Sequence, residues 1–331
     1  MDSVQQLPTM VLRPYQAMCL VCAFGEHEAG PTDGPLADAL AKIREHPDRP
    51  VALQCNAGDL YVYQHPGTNA DTPEGAEFNR KRDLDILVKL DLAPGSVLPA
   101  RTLLKRLLLT VTTTAGICGY DTVTGDAWRG CPKAKTGCYE KGRDKGIDAI
   151  IPPRTKPEMD RDKTKAVQAM ERADAITIRP HILVCAVAQY GGGTRPPYPP
   201  DNLPEMLQLI LKKPDTPITL AHGADWMMCA PCPSRVDELN GCICGKIASG
   251  GLYNELKDLN VLQRLGLTYG TTMPARKLYK LIFDRIPSVV GVCAFQGDIP
   301  AHSVWRDGCG VNPSPCPGYA KGRKQLLELL S

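Results

Sequence analysis

The chain has 331 residues, of which 43% are hydrophobic and 23% charged, and its formal net charge is +3. This composition is typical of a globular protein. The basic residues are not collected in one block and the aromatic content is only 5%, so we expect no nucleic-acid partner. No apolar run is long enough for a membrane span and the N-terminus has no signal-peptide core, so we expect a cytoplasmic protein.

Two segments of the chain match each other at constant spacing. Residues 79–107 align with residues 254–282, and the shared residues include Asp83 with Asp258. A match in constant register over this length is the mark of an internal duplication. An Arg-Pro pair followed by a cysteine also precedes each segment, at Arg13 and at Arg179.

The repeat divides the chain into three parts. We predict two homologous halves, at residues 11–150 and 175–330. The segment between them, residues 151–174, is rich in proline and charge and is interpreted as a linker, in which residues 159–173 are compatible with a short solvated helix.

Each half shows the same predicted elements in the same order. An apolar segment with the first cysteine is followed by an amphipathic helix, which carries Leu36, Leu40 and Ile43 in the first half. A short β segment, two helices and an irregular Gly- and Pro-rich stretch with the last cysteines come next. We therefore predict a helix-rich α+β fold of two homologous pseudo-symmetric halves, with short β segments and irregular Cys-bearing loops.

Fourteen cysteines in a reducing compartment indicate metal ligands rather than disulfides. Four of them recur in both halves, and four thiolates are what a 4Fe–4S cluster or a tetrahedral zinc ion requires. We predict one such site in each half. The matched cysteines are Cys19 with Cys185, Cys118 with Cys293, Cys131 with Cys309, and Cys138 with Cys316.

Four further cysteines occur only in the second half. Cys229 and Cys232 form a C-x-x-C-P step, and Cys242 and Cys244 form a C-x-C step within the same sixteen residues. This density is typical of a metal site, so we predict a third site here. Two alternatives stay open: Cys185 joins this group, or Cys244 is spare and the site is open to substrate.

Two cysteines of the first half have no match. Cys22 and Cys55 are interpreted as buried small apolar side chains, because unligated cysteine is often found in cores. Cys55 falls opposite His222 when the halves are aligned.

The spacing favours iron–sulfur over zinc. Proline follows Cys131, Cys232 and Cys316, as it does in many cluster-binding segments. Zinc fingers instead use two close ligand pairs, often with histidine, and none of the six His residues stands at that spacing. We predict two or three 4Fe–4S clusters and keep zinc as the alternative.

The second half resembles a known bacterial and archaeal family of short Cys-rich proteins. Members begin with a Leu-Arg-Pro-His-His-Leu-Leu-Cys segment, and residues 178–185 here read Ile-Arg-Pro-His-Ile-Leu-Val-Cys. A strand at 218–220, the acidic Asp225 and the C-x-x-C-P of 229–233 follow in the family order, before two helices and further cysteines. The family is described as iron–sulfur-binding without an established activity, so the resemblance implies clusters and names no substrate.

The first half looks like a degenerate copy of the same pattern. Tyr15 and Gln16 stand where the family has its two histidines, and the C-x-x-C is missing. The resemblance therefore applies mainly to the second half.

Several polar residues lie near the cysteines in sequence. His181, His222 and Asp225 are candidates for a cluster ligand, a proton donor or a hydrogen-bond partner of a ligand, or for a cap in a loop. Arg13 and Arg179 recur before a proline in both halves. Each can balance the charge of a cluster, bind a carboxylate or form a structural ion pair.

Three functions are compatible with these patterns. The first is a multi-cluster iron–sulfur protein that acts in electron transfer or as a redox accessory protein, with a redox partner protein. The second is an enzyme that uses an incompletely ligated 4Fe–4S cluster as Lewis acid or sulfur acceptor. The third is a zinc-stabilised interaction module.

Overall fold

The chain folds into two compact units, Met1–Pro153 and Arg154–Ser331. Both are rich in helices and contain only short strands, which confirms the predicted α+β class. Within the part of the chain that is described, no helix is long and apolar enough to cross a membrane. The computed structural model describes residues 7–57, 71–236, 241–245, 250–293 and 315–330.

The first unit packs helices around a small mixed sheet. Its elements are β1 (Met10–Leu12), α1 (Pro14–Glu26), α2 (Gly34–Glu45), β2 (Pro50–Leu53), α3 (Ala76–Leu90), β3 (Val97–Pro99), α4 (Ala100–Thr110), α5 (Cys138–Lys145) and α6 (Ile147–Ile150). Strand β2 lies in the middle, parallel to β1 and antiparallel to β3. Val51 and Leu53 of β2 are fully buried, which suits the central strand of a covered sheet.

The second unit repeats this plan and adds to it. Its elements are α7 (Lys156–Arg172), β4 (Ile176–Ile178), α8 (Pro180–Gly191), α9 (Leu203–Lys212), β5 (Pro217–Leu220), α10 (Trp226–Cys229), β6 (Arg235–Val236), β7 (Gly241–Cys242), α11 (Gly250–Leu265), β8 (Thr272–Pro274), α12 (Ala275–Arg285), α13 (Val290–Cys293) and α14 (Pro317–Leu330). The sheet order β4-β5-β8 has the same directions as β1-β2-β3. The β6–β7 hairpin has no equivalent among the described residues of the first unit.

The predicted amphipathic helices are present in both units. Helix α2 buries Leu40 and Ile43, and α9 buries Met206, Leu207 and Ile210. Each helix turns these side chains toward the core of its own unit, as the 3.6-residue periodicity predicts.

The closest helix contact of the first unit is the crossing of α1 and α5. A Cβ added to Gly25 would lie 1.7 Å from the carbonyl oxygen of Cys138, and one added to Gly142 would lie 1.9 Å from that of Val21. Only glycine permits such an approach, so backbone meets backbone at this crossing.

The second unit contains the same crossing, between α8 and α14. A Cβ on Gly191 would lie 1.9 Å from the carbonyl oxygen of Gly318, and one on Gly322 would lie 2.1 Å from that of Val187. The four glycines therefore mark equivalent positions in the two units.

The two crossings show which residues of α5 are equivalent to which residues of α14. Tyr139 donates its hydroxyl to the carbonyl oxygen of Val111 at 2.8 Å, and Tyr319 does the same to Ile286 at 2.7 Å. Cys138, which precedes Tyr139, therefore corresponds to Gly318 and not to Cys316. The predicted match between Cys138 and Cys316 is displaced by two residues.

The segment interpreted as a linker is mostly helical. Helix α7 covers residues 156–172, and Thr155 and Glu158 form a capping box at its start. Its Ala166 and Met170 are buried, and Met170 belongs to the core of the second unit. This part of the chain is an element of the second unit because its apolar side chains pack there.

Candidate functional site

Cysteines of the first unit meet at one cavity of about 620 Å³. Cys19 and Cys22 come from α1, and Cys118 and Cys131 come from the irregular chain between α4 and α5. The backbone N–H of Cys131 donates to the carbonyl oxygen of Cys118 at 2.7 Å, which holds these two loop positions together. The irregular chain between α4 and α5 therefore places Cys118 and Cys131 at the same cavity as the cysteines of α1.

The thiols at this cavity have raised pKa values. Burial raises the pKa of Cys19 to about 11 and that of Cys118 to about 12, and the neighbouring Cys131 adds to both effects. Arg82 opposes the shift at both sulfurs. The three sulfurs are therefore close neighbours, and a metal would have to displace the protons of Cys19 and Cys118.

Two cations line the same cavity. Arg82 is buried and its guanidinium stacks 3.7 Å from the centroid of the Tyr15 ring. Lys133 also lines the cavity, and its amino group lies 2.6 Å from a carboxylate oxygen of Glu26. Positive charge beside thiols stabilises an anionic thiolate–metal group.

The remaining cysteines of the first unit differ from what we expected. Cys138 is joined to Cys22 by a disulfide, so only three of the four predicted ligands remain thiols in this form. The interpretation of Cys22 as a small core side chain is wrong, because it lines the cavity and carries the disulfide. Cys55 is fully buried in the core, as we expected.

The four cysteines special to the second unit lie together. Cys229 ends α10, and the N–H of Cys232 donates to its carbonyl oxygen at 2.9 Å. Cys242 lies in the β6–β7 hairpin, two residues before Cys244. Burial is the main cause of the raised pKa values of Cys229 and Cys232. Cys232 adds to that of Cys229, and Cys244 adds to that of Cys232.

Helix α11 supplies hydrogen-bond donors to two of these sulfurs. The hydroxyl of Tyr253 lies 3.2 Å from the sulfur of Cys244, and the Nδ2 of Asn254 lies 3.5 Å from it. The same Nδ2 lies 3.8 Å from the sulfur of Cys242. The sequence did not single out Tyr253 or Asn254, although Asn79 and Asn254 begin the two aligned segments.

The two thiols of the C-x-C step have different pKa values. A hydrogen bond from Cys242, with help from Tyr253 and Lys257, lowers the pKa of Cys244 to about 6, while that bond raises the pKa of Cys242. Cys244 is therefore the thiolate of this pair near neutral pH.

A buried ion pair stands beside this group. Arg179 contacts Oδ2 of Asp258 through Nε at 2.8 Å and Nη2 at 2.7 Å. His181 reaches Oδ1 of the same carboxylate through its backbone N–H at 2.8 Å and through Nδ1 at 2.6 Å. Cys229 and Cys242 both help to raise the pKa of Arg179, so its guanidinium lies near these two thiols.

The first unit repeats this ion pair without the histidine. Arg13 donates from Nε to Oδ2 of Asp83 at 2.7 Å, and the N–H of Tyr15 donates to Oδ1 at 2.9 Å. Of the roles considered for Arg13 and Arg179, the structural ion pair is present in both units. Arg179 adds a positive field at the cysteines of its own unit.

The other two candidates occupy different surroundings. Asp225 is buried and caps α10, where its Oδ1 accepts from the N–H of Met228 at 2.8 Å. Burial raises its pKa to about 6, and its charge adds to the raised pKa of Cys229. His222 is 59% exposed at its side chain, and its Nε2 lies 3.2 Å from Glu255.

The second predicted quartet is only partly described. Cys185 and Cys293 pack against the core of the second unit, and so does Cys316, which immediately precedes α14. Cys309 lies outside the described residues.

The arrangement of the ligand side chains bears on the kind of metal site. Among the described side chains, no three His, Cys, Asp or Glu residues are arranged as ligands of a single metal ion. A cubane cluster places iron and sulfide between its thiolates, so its ligands lie further apart than those of one zinc ion. Thiols grouped beside cations and hydrogen-bond donors fit a cluster in their chemistry.

No family model, curated protein or solved structure matches this chain. The resemblance of the second half to a Cys-rich family stays a prediction from the residues quoted for it.

Proposed function

We propose that this chain is an iron–sulfur protein that acts in electron transfer or as a redox accessory protein. The observation that supports this most is the group of Cys229, Cys232, Cys242 and Cys244. The N–H of Cys232 donates to Cys229, the β6–β7 pairing brings the C-x-C step beside the chain that follows Cys232, and one Asn254 amide contacts the sulfurs of Cys242 and Cys244. Four thiols in one group match the ligand number of a 4Fe–4S cluster.

The surroundings of this group suit an anionic cofactor. Arg179, Arg235 and Lys257 each lower the pKa of one of its thiols, so positive charge reaches the group from three positions. Such charge favours the thiolate form that a metal requires. A bound cluster would supply one-electron transfer at this site.

Donors from α11 would adjust such a cluster. Hydrogen bonds to ligand sulfur are one of the means by which a protein sets the reduction potential of a cluster. Tyr253 and Asn254 provide them at Cys244 in the second unit. Lys257 and Asp258 follow on the same helix, so α11 connects the donors, the nearby cation and the buried ion pair.

The other cysteines predicted as ligands in each half are proposed to hold the other clusters. In the first unit Cys19, Cys118 and Cys131 border one cavity. In the second unit the predicted quartet is Cys185, Cys293, Cys309 and Cys316. A redox protein is the proposed partner, since clusters that carry single electrons need a donor and an acceptor.

One observation favours a second function, the enzyme with an incompletely ligated cluster. The first unit has three thiols, not four, at a cavity large enough for a small molecule. Arg82 lines this cavity and can bind an anionic group there. The open ligand position and the cavity are what this second function requires.

The main proposal is tested by removing one thiol of the C-x-x-C step. Cys229→Ala, purified anaerobically, should lose the iron of one cluster, about four atoms per chain, and one electron paramagnetic resonance signal of the reduced protein. Cys55→Ala is the matched control and should lose neither, because Cys55 is a core residue. A Cys229→Ala protein that keeps all of its iron would show that this group holds no cluster.

A further inference from the structure

The disulfide of the first unit occupies a position that the second unit fills differently. Cys22 in α1 and Cys138 in α5 have Cα atoms 5.0 Å apart, which is within the usual range for bonded cysteines. The register of the helix crossings matches Cys22 with Ala188 and Cys138 with Gly318. Both cysteines of the pair therefore occur only in the first unit.

The second unit has no room for such a pair. A Cβ added to Gly318 would lie 2.6 Å from the carbonyl oxygen of Ala188, so a cysteine there would require the helices to move apart. Two cysteines that occur together at one crossing, and at neither position of its copy, are matched to each other. They are not two separate members of the shared ligand sets.

The two sulfurs of the pair differ in access. Cys22 is half-buried and lines the cavity, whereas Cys138 is buried. A thiolate that enters the cavity therefore reaches the sulfur of Cys22. Cys138 is the first residue of α5, where the helix N-terminus stabilises a departing thiolate.

The pair also borders the candidate metal site. Cys22 lies three residues after Cys19 on the same face of α1, and both line the cavity with Cys118 and Cys131. While the disulfide is intact, Cys19, Cys118 and Cys131 are the thiols available there. Reduction adds the thiol of Cys22 at the cavity and frees the buried thiol of Cys138 behind it.

We propose that Cys22 and Cys138 form a reversible dithiol–disulfide pair that an external dithiol reduces through the cavity, and that its state sets how many thiols serve the metal site of the first unit. The disulfide exchange does not depend on the proposed function. Its effect on iron–sulfur binding rests on the proposed function.

A thiolate of the dithiol attacks Cys22, the bond between Cys22 and Cys138 breaks, and Cys138 leaves as a thiolate that takes up a proton. The second thiol of the reagent then attacks the reagent's own sulfur in the mixed disulfide, and Cys22 leaves as a thiol. The protein gains two electrons and two protons, and the dithiol becomes a disulfide.

The first test maps the bond in the full-length protein. Protein purified anaerobically without reductant is denatured, alkylated and digested for mass spectrometry, before and after treatment with dithiothreitol. We expect a peptide pair linked through Cys22 and Cys138 that disappears with dithiothreitol and returns with oxidised glutathione. Full alkylation of both cysteines without reductant, or a bond that does not re-form, would overturn the proposal.

The second test follows metal binding with cobalt(II) as the probe. Dithiothreitol, added and then removed anaerobically, should increase the thiolate-to-cobalt absorption of the metal-free wild-type protein. It should not do so in Cys22→Ala or Cys138→Gly, which copy Ala188 and Gly318, because neither can form the bond. Cys55→Ala is the control that should behave as wild type. An equal increase in all variants would show that the pair does not set the site.

The outcomes separate the two proposals. A protein without iron and sulfide, but with a reversible Cys22–Cys138 bond, would refute the cluster and keep the dithiol pair. A protein with clusters and no linked peptide would do the reverse.

Discussion

Cys138 of α5 and Gly318 of α14 occupy equivalent positions in the two units. Arg143 donates from Nε to the carbonyl oxygen of Leu108 at 2.8 Å, and Arg323 donates from Nη2 to that of Phe283 at 2.8 Å. These bonds give the same correspondence between α5 and α14 as the hydrogen bonds of Tyr139 and Tyr319. Cys316 therefore stands before α14, outside the crossing that contains Cys138.

The different places of these cysteines predict different effects on stability. Without reductant, Cys138→Ser should lower the free energy of unfolding of the first unit by about 2 to 4 kcal/mol, because it removes a disulfide that closes a long loop. Cys316→Ser in metal-free protein should cost the second unit less, about 1 kcal/mol or below, because Cys316 is only partly buried and carries no disulfide. Urea denaturation measures both. Equal losses would contradict the register described for α14.

The glycines at the crossings should not tolerate a methyl group. We expect Gly142→Ala and Gly322→Ala each to destabilise its own unit by about 1 to 3 kcal/mol or more, because the new Cβ overlaps a backbone oxygen. Gly125→Ala is the control, since a Cβ there meets no atom within 4 Å. The measurement is thermal unfolding. A loss for Gly125→Ala as large as for the other two would remove the crossing as the cause.

The second unit should lose stability in mild acid through His181. Burial lowers the pKa of this imidazole below 6.5, although Asp258 pulls it upward. The folded unit therefore holds a neutral ring while the unfolded chain binds a proton. This contribution is present above pH 6.5 and is lost as the pH falls toward the folded pKa.

A substitution isolates that contribution. His181→Tyr, which copies Tyr15, should reduce the pH dependence of the second unit below about pH 6.5, where one such group changes stability by at most about 1.4 kcal/mol per pH unit. Hydrogen exchange of the amides of α8 reports on this unit alone. An unchanged pH dependence in the variant would show that another group is responsible.

The hydroxyl of Tyr253 should control the reactivity of Cys244. Tyr253→Phe, which copies Phe78 of the first unit, removes a donor and should raise the pKa of Cys244 above its value of about 6. The measurement is the pH dependence of alkylation at Cys244 in metal-free protein. Tyr269→Phe is the control, because that hydroxyl donates to Glu255. Equal pKa values in both variants would contradict the role of Tyr253.

Local patterns predicted the parts of the fold that depend on neighbouring residues. The apolar spacing of α2 and α9 and the short runs at β2 and β5 indicate their burial directly. The group at Cys229–Cys244 was predictable because its members are close in sequence. The donors Tyr253 and Asn254 were not, because only the tertiary packing of α11 brings them to the sulfurs.

Two departures have identifiable causes. The match of Cys138 with Cys316 used an offset of 178 residues, whereas the Lys-Gly-Arg motifs at Lys141 and Lys321 already differ by 180. The helix follows the second offset, because the extra residues come before α14 in the sequence. The helix considered at 159–173 is present as α7, but it begins earlier, at the capping box of Thr155 and Glu158, and it is not simply solvated because Met170 packs into the core.

The proposed function depends most on the presence of iron–sulfur clusters. Metal analysis tests their presence directly. Protein purified anaerobically should contain iron and acid-labile sulfide in similar amounts, with about four irons for each cluster. About twelve irons per chain correspond to three clusters, and about eight to two. Zinc without sulfide would contradict the account and would favour the zinc-stabilised interaction module.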